Sequence, residues 1–406
     1  MPTTDQVHLA IALEGAGWHP AAWREPNAEP TRLLSPRYWT DLVAEAERGL
    51  ADFVTIEDSL GLRPAILGGL EPRTDLVSGR LDSVLIAARV APLSSHIGII
   101  PTAVVTHTEP FHLSKAIATL DYVSTGRAGV RLQISAQPHE AALFGRRDLP
   151  AIEFDEISGP RAQALIGELF GEARDYAEVL RRLWDSWEDD AEIRDKATGR
   201  FVDRDKLHYI DFEGKSFSVR GPSITPRPPQ GQPIIAALGH QQIPFELIGT
   251  STDVGFITPT GADDATSIIG KIRAAQEQAG RADETVHIFA DLVVFLADSD
   301  AAAAARKSRL DERGGAEYTS DAQIFVGTAA GLADRIEELA ATGITGFRLR
   351  PGAIPDDVRA ITATLVPELQ HRNLFRTQYD HTDLRGHLGL TRPANRYAKA
   401  QELINR

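Results

Sequence analysis

The stretch Glu109–Ser135, EPFHLSKAIATLDYVSTGRAGVRLQIS, combines a helix, a tight turn and a buried strand. Its apolar residues recur at helical spacing between positions 113 and 120. Pro110 suits the first helical turn, where its missing N–H is not needed. The segment Gly126–Gly129 then allows the backbone to pass closely into the strand Val130–Ile134. The stretch therefore predicts a helix–strand joint of an α/β protein.

The same alternation of short apolar strands and amphipathic helices runs along the whole chain. Eight strands are predicted, at Val7–Leu13, Phe53–Glu57, Ile97–Pro101, Val130–Ile134, Pro233–Leu238, Val254–Thr258, Val286–Leu296 and Thr345–Leu349. Helices are predicted at 37–49, 78–91, 110–123, 160–187, 242–249, 262–279, 300–313, 328–341 and 355–371. The count of eight, and the lack of a GxGxxG motif after the first strand, favour a closed (β/α)8 TIM barrel over a doubly wound sheet.

Three segments interrupt this alternation, and they are Trp18–Ser35, 137–159 and 188–232. Long loops in a compact domain are usually functional, and in a barrel the loops that follow strands form the catalytic face. We therefore expect a single domain over residues 1–406, with long insertion loops at about 137–159 and 188–232. A C-terminal extension, 373–406, is apolar enough to pack against the barrel or a neighbouring subunit.

Composition restricts the classes of protein that the chain can belong to. An apolar content of 42% over 406 residues is ample for a large core, and no apolar run reaches the length of a membrane span. The absence of cysteine excludes disulfides and thiolate chemistry, and a net charge of −14 argues against nucleic acid as the main partner. The N-terminus lacks a basic signal region, so we expect a cytoplasmic protein without a membrane partner.

Several sequence words in order resemble one enzyme family. ATLDYVSTGRAG, HPAAWREP and FVTIEDSL are similar to segments of the bacterial luciferase-like flavin monooxygenases. WDSWEDDA, DKATGRF, DFEGKSFSVRGP and PRPPQGQP follow in the order found in the branch that oxidises nitrilotriacetate, EDTA and dibenzothiophene sulfone. The resemblance covers most of Val7–His371, and several matched words are far stronger evidence than one motif.

The resemblance implies a two-component monooxygenase. Such an enzyme takes reduced FMN from a separate flavin reductase and uses O2 to oxidise a small organic substrate through a C4a-(hydro)peroxyflavin. It also implies a homodimer or homotetramer. Two alternatives remain open: an F420-dependent hydride-transfer oxidoreductase on the same barrel, and a non-catalytic ligand-binding barrel with a degenerate flavin site.

The resemblance also implies cofactor-binding residues, some of which depart from the family pattern. Asp58 follows the second strand and would approach the flavin ring, unless it caps the next element. Thr106 and Ser135 match family positions near the flavin. Arg131 replaces an asparagine, and would bind a phosphate or a substrate carboxylate, or form a structural salt bridge.

The phosphate site shows the largest departures. The family's AGSS turn after strand five reads Leu238–Gln241 here, so Gly239, His240 and Gln241 would contact the phosphate without the usual serines. Leu169 and Phe170 stand where the family has Arg-Tyr. These losses motivate the non-catalytic alternative.

His107 is the candidate catalytic residue, because an imidazole can move a proton near neutral pH. An ordinary loop histidine is an equally good interpretation. Glu14, Trp18 and His19 follow strand one and are candidate substrate-binding residues. His139 and Glu140 resemble metal ligands, but no second pair at suitable spacing supports a metal site, so none is expected.

Overall fold

In the computed structural model, which describes residues 6–62, 73–152 and 156–398, eight parallel strands close into a barrel. The strands of the chain are β1 (His8–Leu13), β2 (Phe53–Ile56), β3 (Gly98–Val104), β4 (Gly129–Gln133), β5 (Glu192–Asp195), β6 (Arg200–Val202), β7 (Phe212–Glu213), β8 (Ser218–Val219), β9 (Ile234–Gly239), β10 (Val254–Ile257), β11 (His287–Leu296), β12 (Gln323–Gly327) and β13 (Gly346–Pro351). The ring runs β1, β2, β3, β4, β9, β10, β11, β13 and back to β1. The predicted (β/α)8 barrel is confirmed.

Helices surround this ring, and most lie where the apolar periodicity predicts them. They are α1 (Pro36–Arg48), α2 (Ser83–Val90), α3 (Pro110–Val123), α4 (Pro138–Phe144), α5 (Pro160–Asp185), α6 (Gln242–Ser251), α7 (Ala262–Gln278), α8 (Asp300–Gly314), α9 (Ala329–Ala340), α10 (Asp356–Ala360), α11 (Val366–His371) and α12 (Leu384–His387). Within the described ranges, no helix is long and apolar enough to cross a membrane.

Two helix predictions need correction. The helix predicted at 78–91 begins only at Ser83, because the Asp82 side chain accepts a hydrogen bond from the Leu85 N–H and caps α2 there. The helix predicted at 355–371 is broken by a π-helical segment, Ile361–Leu365, between α10 and α11. Pro367 explains this break, since it has no N–H to donate to the preceding turn.

Strand β12 is missing from the sequence prediction. It pairs in parallel with Leu292–Leu296, the second half of β11, and is a ninth strand beside the closed ring. The ten-residue β11 has room for this partner because β10 pairs only with its first half, His287–Ala290. The apolar run of β12, Ile324, Phe325 and Val326, is only three residues long and too short for periodicity to identify it as a strand.

The three long segments contain short regular elements. Residues 188–232 form two antiparallel hairpins, β5–β6 and β7–β8, and residues 137–152 contain α4. The segment after β1 contains two 3₁₀ turns, Ala22–Arg24 and Pro30–Arg32. Positions 153–155 of the predicted insertion 137–159 lie outside the described residues, as do positions 1–5, 63–72 and 399–406.

The C-terminal extension closes the amino-terminal end of the barrel. Leu384 and Leu388 are buried in one apolar cluster with side chains of the barrel interior; these are Ala10, Phe53, Ile100, Ile234, Ala236, Val254, Phe256 and Phe289. Gly98 is needed for this contact, because a Cβ there would lie 2.5 Å from a methyl carbon of Leu384. The backbone also holds the tail, since the Leu384 N–H donates to the Gly126 carbonyl at 3.0 Å.

We predict that Leu384→Ala lowers the free energy of unfolding by about 3 kcal/mol, because it empties a fully buried leucine site. Leu85→Ala is the matched control, since Leu85 is 70% exposed on α2, and it should change stability by about 0.5 kcal/mol or less. Denaturation in guanidinium measures both. Equal midpoints for the two variants would show that the tail does not seal the barrel.

His287 makes this closure sensitive to pH. Its ring is buried against the tail, with Nε2 donating to the Leu388 carbonyl at 2.7 Å, and burial lowers its pKa to about 4. The unfolded chain, with an ordinary pKa near 6.5, binds the proton more readily. Stability is therefore lost as pH falls from about 6.5 towards 4.

We predict that His287→Gln, which keeps a donor for the carbonyl, flattens this dependence. Between pH 7 and 4.5, wild type should lose about 2 kcal/mol more unfolding free energy than the variant, as the shift implies. Urea unfolding at several pH values provides the comparison. Parallel losses in the two proteins would assign the acid sensitivity to other groups.

Candidate functional site

The candidate site lies at the carboxyl ends of the barrel strands. Side chains of a strand alternate between its two faces, so residues two apart share a face. Thr55 and Glu57 show this, because the Thr55 hydroxyl donates to the Glu57 carboxylate at 3.0 Å inside the barrel. Arg348 and Arg350 on β13 are likewise two residues apart and both reach into the interior.

A continuous set of ion pairs crosses the interior below the mouth. Arg131 pairs with Glu57, and Arg348 lies 3.2 Å from the same carboxylate. Arg348 Nε also donates to Asp291 at 2.8 Å, and Arg350 Nε donates to Asp291 at 2.9 Å. Three guanidinium groups thus enclose two buried carboxylates, which leaves one positive charge to be balanced.

The ion-pair set continues to the surface through Arg350. Its Nη1 donates to the Asp321 carboxylate at 2.7 Å. Asp321 is half-exposed and lies 3.5 Å from Nε2 of His240, which closes the series at the rim of the mouth. The series therefore connects the barrel centre to solvent on one side.

Neighbouring arginines keep these carboxylates ionised in spite of their burial. Burial alone would raise the pKa of Asp291, but Arg348 and Arg350 hold it below the ordinary value. Burial alone would also raise the pKa of Glu57, but neighbouring arginines lower it, and Arg131 contributes most. Burial alone would raise the pKa of Asp321, but the charge of Arg350 outweighs this effect and the pKa falls to about 2.

We predict that Asp291→Asn destabilises the fold by about 3 kcal/mol or more, because two buried guanidinium groups lose their shared carboxylate. Asp321→Asn removes a carboxylate from the half-exposed end of the same series and should cost about 1 kcal/mol or less. Guanidinium denaturation at pH 7 compares the two. Similar losses would contradict a special role for the buried end.

Of the predicted cofactor residues, Arg131 and Asp58 already have partners. Arg131 is fully buried, donates to Thr102 at 2.9 Å and pairs with Glu57, which is the structural salt bridge left open by the sequence. Asp58 accepts from the backbone N–H groups of Ser59 and Ser83, the latter at the start of α2. Burial raises the pKa of Asp58. At the end of β2, the carboxylate inside the barrel is that of Glu57 and not that of Asp58.

Thr106 and Ser135 lie next to each other at the mouth. The Ser135 N–H donates to the Thr106 hydroxyl at 2.9 Å, which connects the ends of β3 and β4. His107 is 7% exposed and its ring stacks on Phe144 of α4, with 5.2 Å between ring centroids. Burial, together with the charge of Arg147, lowers the pKa of His107, so its imidazole is neutral at pH 7.

The residues after β9 meet the amino-terminal end of α6. Gly239 ends the strand, where a Cβ would come within 2.9 Å of Phe245, and Gln241 precedes the helix without a side-chain cap. The first amides of the ten-residue α6 are therefore open to a ligand. His240 lies beside them, with Nδ1 at 2.9 Å from the Thr258 hydroxyl.

The predicted substrate residues occupy two different environments. Glu14 lies 3.5 Å from Arg80 and, with Glu57, lines a cavity of about 40 Å³ at the mouth. The Arg350 guanidinium lies over the Trp18 ring, with its Cζ 5.9 Å from the ring centroid. His19 is buried to the side of the mouth, where it makes two ring hydrogen bonds.

The bonds of His19 assign its tautomer. Nδ1 accepts from the Ala21 N–H at 3.0 Å, so Nε2 carries the proton and donates to Asp311 at 3.1 Å. Burial lowers the pKa of His19. Both nitrogens are thus already used within the protein.

Sequence reasoning missed five charged residues of the interior; they are Glu57, Asp291, Asp321, Arg348 and Arg350. The signal was present in GFRLRP, where arginines alternate with apolar residues inside a strand. Strand periodicity alone would have placed both arginines on one face. Across the described residues, no group of three or more His, Cys, Asp or Glu side chains is arranged to hold a metal ion.

Comparison with known proteins identifies the class. The model of the luciferase-like monooxygenase family matches residues 17–346. N-acetyl-S-(2-succino)cysteine monooxygenase of Bacillus subtilis (strain 168) is 30% identical, over 97% of this chain and 99% of the relative. Nitrilotriacetate monooxygenase component A of Aminobacter aminovorans is 27% identical, over 98% of this chain and all of the relative.

A solved structure supports the fold independently. The crystal structure of DmoA from Hyphomicrobium sulfonivorans superposes with a TM-score of 0.82 at 24% identity, and covers 97% of this chain and 96% of that chain. The chain belongs to the luciferase-like monooxygenase family. The predicted enzyme class, a flavin-dependent monooxygenase related to the nitrilotriacetate branch, is confirmed.

Proposed function

We propose that this chain is the oxygenating component of a two-component monooxygenase that takes reduced FMN from a separate reductase and oxidises a small organic substrate. The observation that carries the proposal is the barrel mouth, where an uncapped helix terminus and a polar interior lie at the carboxyl ends of neighbouring strands. Barrel enzymes place their active sites at this end. The relative from Aminobacter aminovorans is itself named component A, which agrees with a separate partner.

The amino-terminal end of α6 suits the phosphate of FMN. The missing serines of the family turn remove hydroxyl donors, but the N–H groups of Gln242 and Ile243 point out of an uncapped helix start. Pro244 contributes no third N–H. The half-exposed His240 adds a donor at the same place. These residues would hold a phosphate through backbone amides and an imidazole in place of serine hydroxyls.

The floor of the mouth suits the polar edge of a flavin ring. Glu57, Gln133 and Arg131 form a hydrogen-bonded group whose outer atoms face the carboxyl ends of β2 and β4. Their compensated charges give fixed dipoles in a buried setting, so the floor is already organised before a ring binds. Bound reduced flavin supplies the electrons that activate O2.

His107 is the residue we assign to proton handling near that ring. Its lowered pKa keeps the imidazole neutral at pH 7, so it can accept a proton from a bound group. Its Nε2 is buried and, within the described residues, has no hydrogen-bond partner. A free and neutral ring nitrogen at the mouth is the arrangement that a proton acceptor needs.

We predict that the protein binds reduced FMN at least tenfold more tightly than reduced riboflavin, because only FMN carries a phosphate for α6. His240→Ala should lower this ratio several-fold without changing riboflavin binding. Anaerobic titration followed by tryptophan fluorescence measures both ligands. His371→Ala, an exposed histidine on α11, is the control and should leave both affinities unchanged.

Mixing the reduced complex with oxygen then tests the chemistry. Reoxidation of bound flavin should differ in rate from that of free flavin, and oxygen consumption should rise with a substrate. Equal affinity for FMN and riboflavin would contradict the phosphate site. Saturable binding of F420 without FMN binding would favour the hydride-transfer alternative, and failure to bind either cofactor would favour the non-catalytic barrel.

A further inference from the structure

Helix α4 brings a second group of polar side chains to the mouth. His139 and Glu140 lie in its first turn, and Phe144 at its end stacks on His107. Gly61, in the loop after β2, packs on the same turn, since a Cβ there would lie 2.8 Å from His139 Nε2 and 3.2 Å from Glu140 Cγ. Residues from the ends of three neighbouring strands thus meet at α4.

Several polar atoms of these side chains are buried without partners. Within the described part of the chain, both ring nitrogens of His139 and Nε2 of His107 are buried without a hydrogen bond. Glu140 is 5% exposed, and its carboxylate makes no ion pair or hydrogen bond with any described residue. Its charge acts on His107, so the two lie close together.

The surrounding charges do not compensate Glu140. Arg147 is engaged by both carboxylate oxygens of Glu172, at 2.7 and 2.8 Å. Arg146 pairs with Glu109 at the rim. Both neighbouring arginines therefore already have carboxylate partners, and neither pairs with Glu140.

An unpaired buried polar group is expensive, and a native protein rarely retains several together without a ligand. A carboxylate only accepts hydrogen bonds, so its natural partner here is an N–H donor. Imidazole nitrogens beside it can accept a further N–H or donate to a carbonyl. An anionic ligand would instead meet a carboxylate that offers it no hydrogen-bond donor.

We infer that His107, His139 and Glu140 form a substrate subsite that binds an N–H group, of an amine or an amide, at the barrel mouth. The inference rests on the proposed function, because it names the chemical class of substrate for the same mouth. Glu140 accepts the N–H, and the two imidazoles surround the remaining polar atoms of the ligand. A purely apolar substrate would leave all of these groups unpaired.

Benzamide and benzoate test the subsite because they match in size and shape. Benzamide presents two N–H donors, whereas benzoate presents none and carries a negative charge. Calorimetric titration of the full chain should show benzamide binding and at least tenfold weaker benzoate binding. Glu140→Gln should weaken benzamide at least tenfold, since a charged acceptor becomes a neutral amide.

Two comparisons separate this result from misfolding. Glu168→Gln removes an exposed carboxylate of the same charge from α5 and should leave benzamide binding unchanged. Glu140→Gln should keep a cooperative unfolding transition near the wild-type temperature, because the substitution conserves side-chain volume and breaks no hydrogen bond or ion pair among the described residues.

Three outcomes would overturn the subsite: equal binding of benzamide and benzoate, no binding of either, or an unchanged benzamide affinity in Glu140→Gln. A reduced-FMN titration of the same samples keeps the two proposals apart. Wild type and Glu140→Gln should bind FMN equally. Loss of FMN binding in wild type would defeat the proposed function, while the benzamide comparison would still decide the subsite.

Discussion

The carboxylate of Asp291, enclosed by the guanidinium groups of Arg348 and Arg350, is the interaction on which the barrel interior depends. A single charge at that depth would be strongly unfavourable, and only its multiple hydrogen bonds make burial tolerable. Since β11 and β13 are adjacent strands, the same contacts fix their relative register. A one-residue slip would turn both arginines out of the barrel and leave Asp291 alone.

This polar layer divides the barrel into two ends with different tasks. Below it, phenylalanines of β2, β10 and β11 fill the interior, and the tail residues Leu384 and Leu388 seal it. Above it, Glu57, Gln133 and His240 present hydrogen-bonding atoms to the mouth. The closed apolar end supplies stability, so the open end can carry polar groups that a stable core would not tolerate.

Periodicity sufficed to predict the eight barrel strands and most of the helices, because each buries a continuous apolar face. It failed for β12, whose apolar run is only three residues long, and for the hairpins of 188–232, which are short and polar. At the site, Thr106 and Ser135 were proposed from family likeness, and His107 from the chemistry of an imidazole near neutral pH. The ion pairs of Glu57 and Asp291 could not be predicted in this way, because pairing across the barrel depends on which strands become neighbours.

The departures from the family pattern acquire a physical explanation once the two polar groups of the mouth are compared. Arg131 stands where the family has asparagine. Its charge is balanced by an ion pair with Glu57 at the floor, so this pair is ordered and carries no net charge. Glu140 and His139, on α4, have no such compensation among the described residues. Five buried charges are paired in one layer, whereas three imidazole nitrogens of His107 and His139 lie buried without a partner among the described residues. The unsatisfied polar atoms are therefore concentrated beside α4. Under the two proposals, the floor would be ordered before a cofactor binds, and the α4 group would be the part of the mouth that distinguishes substrates.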